Sequence, residues 1–232
     1  MFHFKQFDIR QDHAAMKVGT DSDLLGALAE GGERILDIGT GTGVLALMMA
    51  QRFPKANITA IDIDADAILD ASYNFSHSSF ADRLTLHHCS LKDFVKVRVK
   101  VNLFDSILCN PPYFDKSLEA PDKGRARARH TSSLPFSELI ESAYELLQDD
   151  GIFSVILPPE VLPTFSAHAL ITGFWLRHCY KIKTVPSKDP KRYILIYQKG
   201  RTDSQEETVC LRNADNTFSD WHNRLLAEFL TC

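Results

Sequence analysis

Residues with usable chemistry gather where short apolar runs end. The first group is Asp37-Ile38-Gly39-Thr40-Gly41-Thr42-Gly43, at the close of the run Arg34–Ile38. Glycines let a backbone pass close beneath a ligand, and the helix that starts at Val44 turns free N–H groups toward it. Gly41-Thr42-Gly43-Val44-Leu45-Ala46 also satisfies the GxGxxA spacing of dinucleotide-binding turns, so a nicotinamide-linked oxidoreductase is one reading. Asp37 opposes it. A carboxylate two residues before the first glycine repels a pyrophosphate and suits a cation, such as the amino-acid ammonium of S-adenosylmethionine. Asp62 ends the next run, Asn57–Asp62, where an acid accepts both hydroxyls of an adenosine ribose. Asp64 is the better candidate to cap the following helix. After the third run, topology puts Ser90 and Leu91 beside an adenine slot, with Asp93 nearby.

The most specific group is Asn110-Pro111-Pro112-Tyr113, after the fourth run, Phe104–Cys109. It resembles the signature of the Asn-Pro-Pro-Tyr class of S-adenosylmethionine-dependent methyltransferases, which act on amino or amide nitrogens conjugated to a π system. The resemblance implies catalytic roles for all four residues and a cofactor contact for Asn110. The residue types suit that chemistry. A conjugated amino group is a poor nucleophile because its lone pair is delocalised. The side-chain carbonyl of Asn110 and the backbone carbonyl of Pro111 can each accept one amino hydrogen, orienting the nitrogen and returning electron density to it. The prolines stiffen the turn and remove competing donors, and Tyr113 offers a stacking face.

A narrower resemblance rests on Met16-Lys17-Val18-Gly19-Thr20-Asp21, Leu25-Gly26-Ala27 and Arg127-Ala128-Arg129-His130-Thr131. From about Phe7 to Lys199 the chain is similar to the bacterial valine-tRNA adenine-N6 methyltransferases, which modify the adenosine 3′ of the anticodon. This implies S-adenosylmethionine as cofactor and tRNA as partner, with no metal. Lys17, Gly19 and Thr20 would join Asp37, Gly39, Gly41, Gly43, Asp62, Ser90 and Leu91 around the cofactor. Lys116, Lys123, Arg125, Arg127, Arg129, His130, Lys191 and Arg192 would meet RNA. Net charge is −4, so any RNA affinity must come from local patches. Two clusters qualify: the basic residues of 116–130, opposed only by Glu119 and Asp122, and Arg177, Lys181, Lys183, Lys188, Lys191 and Arg192, opposed in sequence by Asp189 alone.

Short β-rich runs alternating with helical patterns must position these groups. Strands are expected at 34–38, 57–62, 84–89, 104–109 and 151–157, then at 175–185 and 193–199. Helices are expected at 24–29, 44–51, 65–74 and 136–147. The expected fold is α/β: a Rossmann-like class I methyltransferase with a seven-stranded, mostly parallel sheet and a C-terminal antiparallel hairpin. One domain over 1–232 accounts for the length. Residues 1–32 would form a cofactor-closing segment and 33–200 the catalytic core. The tail, 201–232, is acidic at first and then reads as a short helix capped by Ser219.

Composition narrows the classes further. The five cysteines lie far apart, with no CxxC pair, which argues against a disulfide framework or zinc site. No signal peptide and no run of about 20 apolar residues is evident, so a soluble, cytoplasmic protein without membrane contact is expected. Release-factor glutamine-N5 methylation usually needs an N-terminal recognition domain for which the segment before the first strand is too short. Guanine-N2 methylation of ribosomal RNA stays open on chemistry. DNA adenine methylation usually needs a larger target-recognition region. A non-catalytic RNA- and cofactor-binding module has no need of an intact Asn-Pro-Pro-Tyr turn.

Overall fold

A computed structural model describes residues 1–98, 104–112 and 134–230. In chain order its elements are β1 (Phe2–His3), β2 (Asp8–Ile9), α1 (Thr20–Leu28), β3 (Arg34–Ile38), α2 (Val44–Arg52), β4 (Asn57–Asp62) and α3 (Ala65–Ser76). They continue with β5 (Leu84–His88), α4 (Leu91–Arg98), β6 (Phe104–Cys109), α5 (Phe136–Leu146), β7 (Leu147–Leu157) and α6 (Leu162–Thr172). The last are β8 (Phe174–Lys183), β9 (Arg192–Lys199), β10 (Gln205–Cys210) and α7 (Asp220–Leu226).

The sheet runs β10-β8-β9-β7-β6-β3-β4-β5. Strands β5, β4, β3, β6 and β7 are parallel, and β9 lies antiparallel between β7 and β8. The expected parallel sheet and terminal hairpin are therefore present, but with eight strands rather than seven. The added strand, β10, pairs parallel to β8 from Gln205↔His178 to Cys210↔Lys183. Its sequence, Gln-Glu-Glu-Thr-Val-Cys, carries little apolar signal because five of its six residues are exposed or half-buried on an edge; only Val209 is buried.

The central strands are apolar on both faces, and alternation sends successive side chains to opposite layers. In β3, Ile35 joins one core while Leu36 and Ile38 join the other. The first core lies under α1, α2 and α7, with Leu24, Leu47 and Leu226. The second lies under α4, α5 and α6, with Phe94, Leu139 and Phe165. Helix α1 begins earlier than the apolar spacing suggests, at Thr20 rather than Leu24. Gly19 is its N-cap, and the Ser22 hydroxyl donates to the Gly19 carbonyl (2.7 Å) and accepts from its N–H (3.1 Å). A Cβ on Gly26 would sit 2.4 Å from the Met48 sulfur, so this glycine lets α1 lie close on α2. Ser219 caps α7, accepting from the His222 N–H at 3.1 Å. The two ends of the chain meet on this layer: the Lys5 N–H donates to the Phe229 carbonyl and the Lys5 ammonium to the Ala227 carbonyl.

Candidate active site

The carboxyl ends of parallel strands are where an open α/β sheet leaves backbone groups and loops free for a ligand. Strand β3 sits between β4 and β6, with Ile38 opposite both Ile61 and Cys109. Asp62 therefore flanks the glycine turn on one side and Asn110 on the other. Two strand spacings separate them, roughly 10 Å.

All three glycines of the turn have left-handed backbones, with φ of +70° at Gly39, +56° at Gly41 and +83° at Gly43. A Cβ on Gly39 or Gly41 would meet nothing within 4 Å, so their open side faces the space above the sheet edge; at Gly43 it would strike Phe75 at 2.5 Å. The turn is held by N–H donation from Gly39 and Thr40 to the Ile61 carbonyl, and from Gly41 to Asp62 Oδ2 at 2.8 Å. Asp62 Oδ1 accepts from the Asp64 N–H. Both oxygens of Asp62 thus brace the loops and keep further lone pairs for a ligand. Burial pushes its carboxyl upward against those backbone hydrogen bonds. Asp64 caps α3, as expected, by accepting from the Asp66 N–H.

Asp37 is fully buried. Its Oδ2 accepts from the Thr40 hydroxyl at 2.6 Å, while among the described residues Oδ1 makes no full hydrogen bond, and the Ala46 N–H at the start of α2 gives the carboxylate some further support. Burial pushes this carboxyl up to about 7; the Thr40 hydrogen bond opposes the shift and the charge of Asp62 adds to it. A buried, half-satisfied carboxylate beside a glycine turn is completed by a cation, which is what the ammonium of S-adenosylmethionine supplies. The residues fit that group.

The segment before α1 is held by a device that the sequence reading missed. Asn74, on α3, accepts from the Arg10 N–H and donates to both the Arg10 and Thr42 carbonyls, joining the segment to the glycine turn. Asp70, one helical turn earlier and fully buried, accepts from the N–H groups of His13 and Ala14 at 2.8 Å, and Arg10 lies 3.7 Å from its other oxygen. Gln11 closes the loop by accepting from the Val18 N–H. An Asp and Asn four apart on an apolar helix were the available signal, since such a pair shares one face. Lys17, Gly19 and Thr20 follow this anchor and are exposed at the entrance to α1.

Ser90 sits next to Asp62 at the sheet edge, where the Cys89 N–H donates to the Asp62 carbonyl. Its hydroxyl is occupied by capping α4, donating to Asp93 and accepting from the Asp93 N–H. Leu91 is buried in the second core. Ile63, passed over in sequence, is 54% exposed and offers an apolar surface immediately after Asp62.

Asn110 is half-buried, Pro111 buried and Pro112 exposed. Tyr113, Lys116, Lys123, Arg125, Arg127, Arg129 and His130 lie outside the described residues. Lys191 and Arg192 stand at the same sheet edge, because Leu157 pairs with Tyr193 where β7 ends. The second basic cluster is less free than its sequence suggests. Arg177 pairs with Glu30, Lys181 with Glu206 and Arg192 with Asp21. These acids come from distant parts of the chain, so only folding reveals the neutralisation. Cys89, Cys109, Cys179 and Cys210 are free thiols. Among the described residues no cluster of three or more His, Cys, Asp or Glu could hold a metal, and no helix is long and apolar enough to cross a membrane.

Strand order, glycine turn, two strand-end acids and the Asn-Pro-Pro corner together define a class I, S-adenosylmethionine-dependent methyltransferase. Residues 13–163 match the family described as methyltransferase small domain. A tRNA1(Val) (adenine(37)-N6)-methyltransferase of Phocaeicola vulgatus is 41% identical over 98% of this chain and 96% of its own length; the protein of the same name from Trichodesmium erythraeum is 37% identical over 98% and 96%. The chain belongs to this tRNA1(Val) (adenine(37)-N6)-methyltransferase family. At the level of fold it is similar to an Agrobacterium tumefaciens protein described as a predicted O-methyltransferase, with TM-score 0.70, 20% identity and coverage of 90% of this chain and 96% of that one. A Pyrococcus furiosus methyltransferase matches with TM-score 0.52, 23% identity and coverage of 76% and 80%.

Proposed function

We propose that this protein methylates the exocyclic N6 of adenosine 37 in tRNA1(Val), using S-adenosylmethionine. One observation carries the reading: Asn110 and Pro111 are fixed one strand away from a glycine turn whose buried acid lacks a cationic partner. The substrate is the one named for its full-length relatives. It replaces the guanine and glutamine alternatives, which share the same corner chemistry.

When bound, the cofactor supplies an electrophilic methyl on a sulfonium. The chain supplies position. Asp37 accepts the ammonium, Asp62 the ribose hydroxyls, and Gly39 and Gly41 leave the space between them clear. Ile63 gives the adenine plane an apolar neighbour. Across β3, the Asn110 side-chain carbonyl and the Pro111 backbone carbonyl each accept one hydrogen of the target amino group. This aims the nitrogen lone pair toward the glycine turn. The amino group needs no strong base beforehand, because its proton can leave after the methyl is attached. Tyr113 would stack on the extruded base, and the 116–130 arginines and lysines would hold phosphate.

We assign the whole of 1–232 to one methyltransferase unit in the cytoplasm, with 1–32 closing over the cofactor, 33–200 as core and 201–232 as a tail whose described residues pack against both. The decisive experiment is nucleoside analysis of purified tRNA1(Val) from a strain lacking this protein. N6-methyladenosine should vanish at position 37 and return on complementation. Its persistence would overturn the assignment.

A further inference from the structure

A cleft of about 690 Å³ opens beside the active site, between the first turn of α1, the β8–β9 connection and the C-terminal tail. Strand directions fix its position. Strands β8 and β10 end where β9 begins, and the ladder continues outward as the Leu211 and Arg212 N–H groups donate to the Lys183 and Thr184 carbonyls. Lys191, Arg192 and Arg212 therefore lie on the same edge as Asn110, two to four strands along, roughly 10–20 Å away at the usual strand spacing.

The chemistry of its mouth is specific. The Arg212 guanidinium lies 4.2 Å from the centroid of the Phe218 ring, and the His222 ring stacks on Phe218 at 4.2 Å and 7°. Two groups this close to one ring centre must take opposite faces, so Arg212, Phe218 and His222 form a three-layer stack. Phe218 is 47% exposed despite this packing. Burial and the Arg212 charge hold the His222 pKa below its ordinary value, so its outer face is a neutral plane at physiological pH. The Arg212–Asn216 carbonyl bond and the Arg212↔Phe218 bridge fix the turn that presents the stack. Beside it, Lys191 is exposed, and its ammonium makes no bond among the described residues. Arg192 is held by Asp21 at 2.7 Å.

Cations next to an extendable stack of planar groups are how proteins hold unpaired RNA: phosphate on the cations, a base on the ring or guanidinium plane. A protein ligand would not need the stack, and the acidic surface of this chain as a whole would repel RNA elsewhere. We propose that the C-terminal tail builds a second RNA-docking site, in which Lys191 and Arg212 hold backbone phosphate and the Arg212–Phe218–His222 stack receives one unpaired base of the substrate loop outside the target adenosine. This rests on the tRNA-methyltransferase reading and gives the tail a role in substrate recognition.

The test uses the full chain with Phe218→Ala, Phe218→Tyr and Lys191→Glu. Dye-labelled tRNA1(Val) and an RNA duplex of equal length are titrated at several salt concentrations, with S-adenosylhomocysteine affinity and thermal unfolding as controls. Phe218→Ala removes the ring that holds Arg212 and His222 in layers, so it should weaken tRNA binding at least about 5-fold and at most about 150-fold, the range for losing the one base that stacks on their outer planes, and raise KM for tRNA with little change in kcat. Phe218→Tyr should bind as the parent does. Lys191→Glu, on an exposed surface side chain, should keep the fold and lower the magnitude of the salt slope by about one. Duplex affinity should not respond to Phe218. Parental tRNA affinity in both Phe218→Ala and Lys191→Glu would overturn the docking site, and so would equal losses for tRNA and duplex in Phe218→Ala. Should Phe218→Ala fail to fold, parental affinity and salt slope in Lys191→Glu would suffice. A wild type that binds tRNA through these residues yet leaves adenosine 37 unmethylated would sink the proposed function and spare the docking site.

Discussion

Cofactor binding should be coupled to a proton at Asp37, and the size of the coupling follows from the site. The carboxyl is fully buried, one oxygen makes no full hydrogen bond among the described residues, and its pKa is pushed up to about 7 by burial. An ammonium placed against that oxygen returns it to the carboxylate, so binding below neutrality must expel a proton. With half-ionisation near 7, about one tenth of the free protein is ready to bind at pH 6 and about nine tenths at pH 8. Affinity for S-adenosylhomocysteine, which carries the same ammonium, should therefore rise about tenfold over that range, or about 1.4 kcal/mol, and level off above it. Calorimetry from pH 5.5 to 8, in two buffers of different ionisation enthalpy, measures both the affinity and the proton released. Asp37→Asn should bind more weakly and without this pH dependence. If the variant keeps the parental slope, another group titrates. If the wild type is flat, Asp37 does not meet the ammonium.

Other expectations follow from the same structure. Asp23, on α1, is buried with one oxygen unpartnered among the described residues and its pKa pushed up to about 7 by burial. A folded-state value above the unfolded one means that the native state binds more protons between pH 4 and 7, so stability falls as pH rises through that window. Asp23→Asn should remove up to about 4 kcal/mol of this loss, read by denaturant unfolding at pH 4.5 and 7.5; parallel curves for parent and variant would contradict it. Asn110→Ala should bind S-adenosylhomocysteine normally and lose about 10²–10³ in kcat, the scale for removing one positioned polar partner; parental turnover would dismiss the proposed grip on the amino group. Asp70→Ala strips acceptors from the His13 and Ala14 N–H groups and should loosen the segment before α1 by about 2–4 kcal/mol. Faster hydrogen exchange at 13–19, with weaker cofactor binding, is the expected signature, and unchanged exchange would refute the anchor. Replacing Arg125, Arg127 and Arg129 by Gln should lower tRNA affinity and flatten its salt dependence; an unaltered slope would leave that row without a phosphate contact.

Local chemistry was readable wherever it depends on neighbours in sequence. The strand that carries Asp37, the three glycines with left-handed backbones, the Asp64 and Ser219 caps and the rigid Asn110-Pro111-Pro112 corner all follow from residue type and short spacing. Steric limits on φ, capping geometry and ring constraint act over a few residues. The alternation of β-rich and helical runs likewise implied the parallel sheet, because two-sided burial leaves a continuous apolar record in each central strand. Edge strand β10 left no such record, since one row of backbone hydrogen bonds can hold polar residues in a sheet.

Tertiary structure alone decided how charges and polar groups pair. Asp70 and Asn74 look like ordinary helix residues until the chain about sixty residues upstream runs beneath them. The cluster around Arg192 reads as free cation until Asp21 and Glu206 arrive from α1 and β10 and Glu30 from the α1–β3 connection. The raised pKa of Asp37 exists because the core excludes water from it and β4 brings Asp62 close, and the Arg212–Phe218–His222 stack only because a turn folds back on the end of β10. Coulomb and desolvation energies depend on distance and burial in space, and sequence separation fixes neither.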